Sequence, residues 1–476
     1  MSNAPILVWI RRDLRLHDHA ALSEAARTGR PVIPVFICDG AMHALGAAPK
    51  WRFGLGVARF AETLAGLGSK LILRRGDALG CLQALIAETG ADTVYWQRAY
   101  DPISIARDTG VKAALKDAGV KAQSFTGQLL FEPWSVETKT GGFYKVYSPF
   151  WKAVKDRGIA PALPRVAELK APDAWPASEN LDDWALGADM RRGADVVARH
   201  VRVGEDKAQD RLNWFIENAS DGYKAQRDFP GIEATSRLSE PLTYGEISPR
   251  VIWHAGARAM AEGKAGAEHF LKELVWREFA YHLLHHTPQI ATGNWRAEWD
   301  AFPWSRDADT AEVVAWKQGR TGIEFVDAAM REMYVTGTMH NRARMIVGSY
   351  LTKHLMTHWE IGMRWFEDCL IDWDPAANAM GWQWVAGSGP DAAPYFRVFN
   401  PVSQAEKFDA DRSYRSAWIA EGQGHPPQTA LSYFDAIPKA WGLSPGAVYP
   451  NPIVSAAEGR MRALDAYSAR DVLAKV

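Results

Sequence analysis

The order of strand-like and helix-like segments in residues 1–130 is the feature that most constrains the fold. Five short runs rich in β-branched and aromatic residues, at 6–10, 32–37, 71–73, 93–96 and 122–125, alternate with helical stretches such as 52–67, 79–88 and 103–118. Apolar strands separated by helices are typical of a parallel sheet covered on both faces. The sequence therefore predicts a doubly wound α/β domain, and such sheets bind ligands beyond the carboxyl ends of their strands.

The nucleotide-binding motifs common to such domains are missing from the sequence. Gly54-Leu55-Gly56 lies inside a helical stretch and has no third glycine, and no GxxxxGK[ST] segment occurs. This domain is therefore not a dinucleotide or ATP site of the usual kind.

The rest of the chain changes character twice. Residues 131–205 are rich in proline, glycine and small residues and have weak periodicity, which predicts an interdomain linker. From Gly204 onward the pattern is mostly helical, with stretches at 208–218, 249–262, 268–286, 322–334, 339–358 and 361–370. We therefore expect an α/β domain at 1–130, a linker at 131–205 and an all-α domain at 206–476.

Composition narrows the possible functions. Lys and Arg number 55 and Asp and Glu 56, a net charge of −1, so any nucleic-acid surface must be a local patch. Three scattered cysteines exclude a disulfide scaffold and a Cys₄ iron–sulfur cluster. No apolar run reaches the ~18–20 residues of a membrane helix. The N-terminus has no secretory signal, so we expect a cytoplasmic protein that does not enter a membrane.

Tryptophan is unusually frequent in the helical half. Of the 21 tryptophans, 13 lie in residues 251–476. Tryptophan is large and needs a partner for its N–H, so this number indicates either a bulky helical core or a functional use of the rings. Composition alone favours the core.

Two clusters of polar residues precede or lie on predicted helices. The segment Thr235–Ser239 places three hydroxyls and Arg237 before a helix, a pattern that suits phosphate oxygens but also an ordinary helix-capping loop. Farther on, Glu273, Trp276 and Arg277 share one helix face. Their simplest interpretation is a salt bridge from Glu273 to Arg277 beside a core tryptophan.

Two further clusters lie near residues 340 and 375. Asn341, Arg344 and Met345 share one helix face, while Arg342 points elsewhere. The segment Asp372-Trp-Asp374-Pro-Ala-Ala-Asn378 begins like a calcium loop, but alanines stand where a ligand and a glycine are needed, so we expect no metal. Neither a GxSxG elbow nor an HExxH motif occurs.

Several long motifs, in this order along the chain, resemble the DNA photolyase and cryptochrome family. They are VWIRRDLRL at 8–16, YKVYSPF at 144–150, TSRLS at 235–239, WREF at 276–279, MHNR at 339–342, DAAPYFR at 391–397 and YPNPIV at 449–454. The resemblance runs from about residue 5 to 468. It implies an N-terminal α/β antenna domain, a C-terminal helical domain that binds FAD, and UV-damaged DNA as the partner of a chain acting as a monomer.

The resemblance also implies which residues bind FAD. Tyr223 and the 235–239 loop would hold the pyrophosphate, Arg344 and Asp372 would form an ion pair over the flavin, Asp374 would bind its pyrimidine edge and Asn378 would face N5. The full set is Tyr223, Thr235, Ser236, Arg237, Leu238, Ser239, Arg277, Arg344, Asp372, Asp374 and Asn378. A neutral amide at N5 tolerates an anionic reduced flavin, whereas a carboxylate would repel it. Plant cryptochromes carry Asp there, so Asn378 favours repair over signalling.

Single positions indicate the lesion. Photolyases of the (6-4) type carry two histidines where this chain has Asn341 and Met345, and histidine is the side chain suited to donating a proton near neutral pH. The pair found here suits the splitting of a cyclobutane dimer by electron transfer. Glu273, Trp276 and Trp384 complete the resemblance to a cyclobutane-dimer pocket, in which a flipped-out dimer would stack on the two tryptophans.

Two other sets follow from the same resemblance. The residues that would meet the DNA backbone are Arg227, Arg342, Arg397, Gln404 and Lys407. The residues that would pass electrons from the surface to photoexcited oxidised FAD are Trp382, Trp359 and Trp304.

The antenna chromophore and the class of function have alternatives. The Asn-Glu pair that contacts a folate antenna in one branch of the family is Ile103-Ser104 here, whereas His19 and the 372–384 stretch resemble class III enzymes, near plant cryptochromes. We therefore expect methenyltetrahydrofolate, with a deazaflavin or no antenna as alternatives. We expect a repair enzyme, and the alternative is a blue-light sensor that signals through a partner protein. The absence of a long C-terminal extension favours the enzyme.

Overall fold

The computed structural model describes residues 3–391 and 396–473. Near the N-terminus five parallel strands form one sheet in the order β3-β2-β1-β4-β5. Their bounds are β1 Ile6–Ile10, β2 Val32–Cys38, β3 Ile72–Arg75, β4 Thr93–Gln97 and β5 Lys121–Phe125. The predicted parallel sheet is confirmed, with strand ends that differ by at most two residues.

The α-helices alternate with these strands and then fill the rest of the described chain. They are α1 Ala20–Arg27, α2 Gly40–His43, α3 Ala47–Ala65, α4 Ala78–Thr89, α5 Pro102–Asp117, α6 Tyr147–Val154, α7 Gly193–Val197, α8 Glu205–Asn218, α9 Tyr223–Gln226, α10 Ser239–Tyr244, α11 Pro249–Ala261, α12 Ala267–His286, α13 Ala311–Lys317, α14 Glu324–Thr336, α15 Asn341–Ser349, α16 Trp359–Cys369, α17 Pro375–Ala386, α18 Pro401–Phe408, α19 Ser413–Trp418, α20 Gln428–Ala436 and α21 Ala456–Leu473. A π-helix at Tyr350–His354 follows α15.

The sheet is buried on both faces because helices cover each of them. On one face Val8 and Phe36 pack with Phe53 of α3. On the other face Trp9 packs with Leu82 of α4, and Val111 of α5 lies in the same cluster. Both alternating sets of strand side chains are therefore apolar, which is why the strands are continuous apolar runs in the sequence.

The segment 131–205 is mostly irregular but contains one helix that packs into the core. Helix α6 contributes Tyr147, Phe150 and Val154, all buried, to a cluster that includes Phe279 of α12. Beyond α6 the chain runs beside the sheet, where Val166 donates its N–H to Leu16. The predicted division into domains at 130 and 205 remains a prediction.

Two of the differences between the helical half and its prediction lie at α15 and α17. The predicted helix at 339–358 is interrupted: α15 ends at Ser349, and the π-helix continues only to His354. Helix α17 was not predicted. Asp374 caps it and Pro375 is its first residue, an arrangement that favours helix initiation.

Buried ion pairs connect the two halves of the chain. Arg52 of α3 is fully buried and pairs with Glu240 and with Glu246, the latter at 2.7 Å. Since Glu240 lies on α10, directly after the 235–239 segment, this contact fixes that segment against the α/β half. Over the described residues, no helix is both long and apolar enough to cross a membrane.

Candidate active site

Two aspartates and the start of α17 form the centre of the candidate site. Asp374 Oδ1 accepts the N–H of Ala376 (3.0 Å) and of Ala377 (2.9 Å), and Asp374 Oδ2 accepts the Tyr281 hydroxyl (2.6 Å). Burial and the nearby Asp374 carboxylate raise the pKa of Tyr281 well above its usual range, so the hydroxyl stays a donor. Asp374 is therefore a fixed carboxylate at the N-terminus of a helix.

Asp372 joins three elements of the site. Its carboxylate accepts the Ser239 hydroxyl (2.7 Å) and pairs with Arg344 Nη2 at 2.8 and 3.0 Å. The Arg344 side chain is 28% exposed, whereas that of Asp372 is 3% exposed. The guanidinium therefore lies toward the open side and the carboxylate behind it, and the structure brings the predicted ion pair together.

Asn378 lies one turn into α17 and is held by a neighbouring helix. Its Nδ2 donates to the carbonyl oxygen of Met363 on α16 (3.0 Å). The side chain is half-buried, and one amide N–H and the carbonyl oxygen remain for a ligand.

The 235–239 loop is shaped by an arginine from α8. Arg211 donates to the carbonyl oxygens of Thr235 (2.6 Å) and Ser236 (2.9 Å). Arg237 is exposed and has φ +51°, a conformation uncommon for a residue with a side chain. This loop ends at Ser239, the residue that binds Asp372. Tyr223, predicted with this loop, is buried on α9.

Glu273 and Arg277 do not pair with each other. Glu273 pairs with Arg227, whose Nη1 also contacts His269 Nε2 at 2.9 Å. Arg277 Nη1 instead donates to the carbonyl oxygen of Gln128 (2.8 Å), which lies in the segment after β5. The prediction of a salt bridge from Glu273 to Arg277 is therefore wrong, because each side chain has a closer partner outside α12.

Trp276 has a stacked partner that the sequence did not indicate. The ring of Tyr147 on α6 lies parallel to it, with centroids 3.7 Å apart and planes at 8°. Trp384, on the neighbouring α17, donates its Nε1 to the Asp391 carbonyl oxygen (3.1 Å). Both indoles are half-buried and held in place.

The α15 side chains diverge as predicted. Arg344 reaches Asp372, whereas Arg342 pairs with Asp228 at 2.6 Å and lies over the Phe408 ring. Asn341 is exposed and Met345 half-buried. Helix α15 therefore carries Arg344 of the ion pair, the neutral side chains of Asn341 and Met345, and the Arg342 guanidinium, which lies near α18.

The remaining predicted DNA contacts lie on and before α18. Arg397 and Lys407 are exposed and Gln404 is half-buried. The Lys407 ammonium lies 5.1 Å from the centre of the Phe408 ring, the same ring that Arg342 covers. The predicted motif at 391–397 falls partly on residues 392–395, which lie outside the described residues.

Two family models match the chain. One, described as DNA photolyase, matches residues 6–171, and the other, described as the FAD binding domain of DNA photolyase, matches residues 270–469. The deoxyribodipyrimidine photo-lyase of Agrobacterium fabrum (strain C58 / ATCC 33970) is 46% identical over 98% of this chain and 98% of its own length. The chain belongs to the DNA photolyase and cryptochrome family.

Solved and curated members of this family that resemble the chain include photolyases and cryptochromes. A bacterial class III photolyase from Agrobacterium tumefaciens superposes with a TM-score of 0.90 at 44% identity, covering 99% of this chain and 98% of that one. Cryptochrome-2 of Arabidopsis thaliana is 33% identical over 98% of this chain and 78% of its own length. The predicted family, fold class and FAD-binding domain are thus confirmed.

The three tryptophans predicted as an electron relay lie in one apolar core of this photolyase-family chain. Trp382 packs edge-on against Phe366, with centroids 4.9 Å apart, and a Cβ at Gly362 would collide with its ring. The ring of His358 contacts those of both Trp359 (centroids 5.2 Å apart) and Trp304 (5.4 Å). These contacts fix all three indoles.

Two other expectations concern the antenna chromophore and a metal ion. Ile103 and Ser104, which replace the folate-contacting Asn-Glu pair of one branch, lie in the first turn of α5, where Ile103 is 69% exposed and Ser104 is buried. Among the described side chains, no group of three or more His, Cys, Asp and Glu residues is arranged to hold a metal ion.

Proposed function

We propose that this chain repairs cyclobutane pyrimidine dimers in UV-damaged DNA, using light and bound FAD. One observation carries the proposal: α15 presents Arg344 to Asp372 while Asn341 and Met345 of the same helix remain accessible to a second ligand. A cofactor and a lesion could therefore share one helix. Relatives aligned over nearly the full chain are named deoxyribodipyrimidine photo-lyase, which supports the assignment.

The donors of the site fit FAD. Arg277 Nη2, His340 Nε2 and Trp373 Nε1 are buried and have no partner among the described residues. Burial lowers the pKa of His340 to about 4, and its Nδ1 accepts the Arg342 N–H, so Nε2 carries a proton to donate. A ligand rich in phosphate and carbonyl oxygens would satisfy such donors, whereas an apolar ligand would leave them unpaired.

The predicted cofactor set keeps its roles in this proposal. Reduced FAD, when bound and excited by light, supplies an electron to the dimer. Arg344 turns its positive guanidinium to the cofactor side, and Asp372 neutralises it from behind. Asp374 offers an acceptor for an N–H of the ring edge, and Asn378 offers a neutral amide.

The lesion pocket would use the two fixed indoles. One face of Trp276 is covered by Tyr147, which leaves the other for a flipped base. Asn341 and Met345 provide no strong acid, and Glu273 is already paired with Arg227. A ring-splitting reaction driven by electron transfer needs no proton donor, so this pocket suits a cyclobutane dimer.

Contacts to the DNA backbone would require two arginines to exchange their carboxylate partners for phosphates. Arg227 and Arg342 are each bound to a carboxylate, Glu273 and Asp228 respectively. A phosphate would have to replace or share these partners. Arg397, Gln404 and Lys407 would add contacts from α18 and the segment before it, in keeping with the dominance of phosphate contacts in DNA affinity.

The other untested assignments belong to the same proposal. Trp382, Trp359 and Trp304 would deliver electrons that reduce the cofactor, and methenyltetrahydrofolate would serve as the antenna. The chain would act as a monomer in the cytoplasm, with domains divided at about 130 and 205. An absorption spectrum of the purified protein tests the antenna, because a folate, a deazaflavin and FAD alone absorb differently.

Light-dependent loss of dimers from UV-irradiated DNA tests the proposal. We expect loss under blue light with the reduced protein and none in the dark or with FAD removed. The similarity to cryptochromes, such as Arabidopsis Cryptochrome-2, favours the alternative, a light sensor. A protein that binds FAD but leaves dimers intact under light would support that alternative.

A further inference from the structure

Lys353 is a buried ammonium that no part of the proposed chemistry uses. It lies in the π-helix and is 1% exposed. Its Nζ donates to the carbonyl oxygens of Val385 (3.0 Å) and Arg397 (2.8 Å) and lies 4.2 Å from the centre of the Phe396 ring. No described carboxylate pairs with it, and burial together with Arg397 lowers its pKa to about 7. Burying a charged group without a partner of opposite charge costs free energy. The presence of a lysine at this position therefore needs an explanation.

The contacts of Lys353 join two parts of the proposed DNA-binding face. Val385 is in the last turn of α17, where helix carbonyls lack intrahelical partners and favour a cation. Arg397 lies in the irregular segment 396–400, which leads directly into α18. One ammonium therefore connects the helix that carries Trp384 to the segment that carries Arg397.

A second contact from the same turn holds this segment. Ser349, four residues before Lys353, accepts the N–H of Phe399 through its hydroxyl (3.2 Å). On the other side, Phe396 stacks on Tyr467 of α21. The irregular segment is thus held by two backbone contacts, from Ser349 to Phe399 and from Lys353 to Arg397, and by the packing of Phe396.

We infer that Lys353 is a positioning residue for DNA: it holds segment 396–400 against the end of α17 so that Arg397, Gln404 and Lys407 meet the phosphate backbone beside Trp384. The inference rests on the proposed function. Lys353 itself lies under the segment, so it acts through the residues it fixes. π-helical turns are often found at functional sites, in agreement with this role.

The test compares Lys353→Met with Lys317→Met. Methionine has about the length of lysine and lacks its donors. Lys317 is a matched control, because it too donates to a backbone carbonyl, that of Ala308 (2.9 Å), and lies over a tryptophan, but on α13. Dark binding of a dimer-containing oligonucleotide is measured over a range of salt concentrations, and photoreduction of bound FAD is measured without DNA.

Lys353→Met should weaken lesion binding about tenfold, since it removes two buried hydrogen bonds. The slope of log K against log salt should flatten by about one unit as phosphate contacts are lost. Photoreduction should stay within about twofold of wild type, because the tryptophans are untouched. Lys317→Met should bind as wild type does. A slope change is informative, because partial unfolding lowers the active fraction without changing the slope.

Unchanged affinity and slope in Lys353→Met would overturn the inference, as would a loss of binding matched by an equal loss of photoreduction. If Lys353→Met does not fold, Ser349→Ala removes the second contact and should weaken binding about threefold with a flatter slope. No change there would also overturn it. If wild type itself neither binds nor repairs dimers, the proposed function fails instead.

Discussion

Asn378 is neutral, and Asp has the same size. The substitution Asn378→Asp therefore changes the charge at this position while keeping the size of the side chain. Asn378 Nδ2 donates to the Met363 carbonyl oxygen (3.0 Å), and neither Asp nor Ala can make this bond, so Asn378→Ala controls for its loss. Asn378→Asp should lower the midpoint potential of bound FAD, because a carboxylate near the reducing ring disfavours added negative charge. A redox titration followed by absorbance measures this, with Asn378→Ala as the neutral control. Equal potentials in all three proteins would mean that Asn378 does not face the ring.

We expect Trp382 to pass electrons to the cofactor and to have no direct role in repair of the lesion. Trp382→Phe should abolish, or slow at least about tenfold, photoreduction of oxidised FAD, while chemically pre-reduced enzyme should repair normally. The indole packs directly against Gly362, so the truncation should also lower the free energy of unfolding by about 1–3 kcal/mol. Photoreduction and single-turnover repair are compared in the same preparation. Loss of repair by the pre-reduced variant would assign Trp382 to the pocket.

At the scale of elements, the start of α17 depends on one side chain that has two tasks. Asp374 caps the helix through two backbone amides and accepts the Tyr281 hydroxyl. Asp374→Ala should lower the free energy of unfolding by about 1–3 kcal/mol, since the cap is lost and a buried hydroxyl is left unpaired. Asp374→Asn should cost much less, because Asn caps equally well. Thermal unfolding of the three proteins checks this, and similar losses in both variants would contradict the capping role.

Helix α12 contains a carboxyl group that makes stability depend on pH. Glu278 accepts the N–H groups of Leu130 and Phe131, and burial raises its pKa to about 7 from 4.5. Because the folded pKa is raised, its protonated form contributes stability that is present below about pH 4.5 and is lost as the pH rises through about 7. Glu278→Gln should therefore be more stable than wild type at pH 8, by up to about 3 kcal/mol, and similar at pH 5. Melting curves at both pH values test the sign, and a variant no more stable at pH 8 would contradict it.

The elements differ in how far the sequence predicts them. The strands are predicted well because both faces of the sheet are buried, so each strand is apolar throughout. The sequence does not predict helix α17, because Ala376, Ala377 and Ala379 give it a weak hydrophobic periodicity and Asp372-x-Asp374 resembles a loop. The Asp-Pro pair at its start was the available signal. The stacking of Trp276 on Tyr147 and the pairing of Glu273 with Arg227 join distant parts of the chain, so local spacing could not indicate them.

At the scale of the whole molecule, a net charge of −1 makes DNA binding a local effect. Roughly three to five phosphate contacts predict a slope of about −3 to −4 in log K against log salt. Arg342→Ala should flatten this slope by about one unit. Trp276→Ala should weaken lesion binding by about 1–3 kcal/mol through lost stacking, with the slope unchanged. Equal slopes for wild type and Arg342→Ala would show that Arg342 stays bound to Asp228.

The central claim is that this pocket splits cyclobutane dimers by electron transfer and lacks the proton donor that a (6-4) product needs. The most direct test is single-turnover repair of two oligonucleotides under blue light, one with a single cyclobutane dimer and one with a single (6-4) product, each with a dark control. The account predicts restoration of the dimer in the light alone and no change in the (6-4) product. Repair of the (6-4) product, or no light-dependent repair of either lesion, would contradict it.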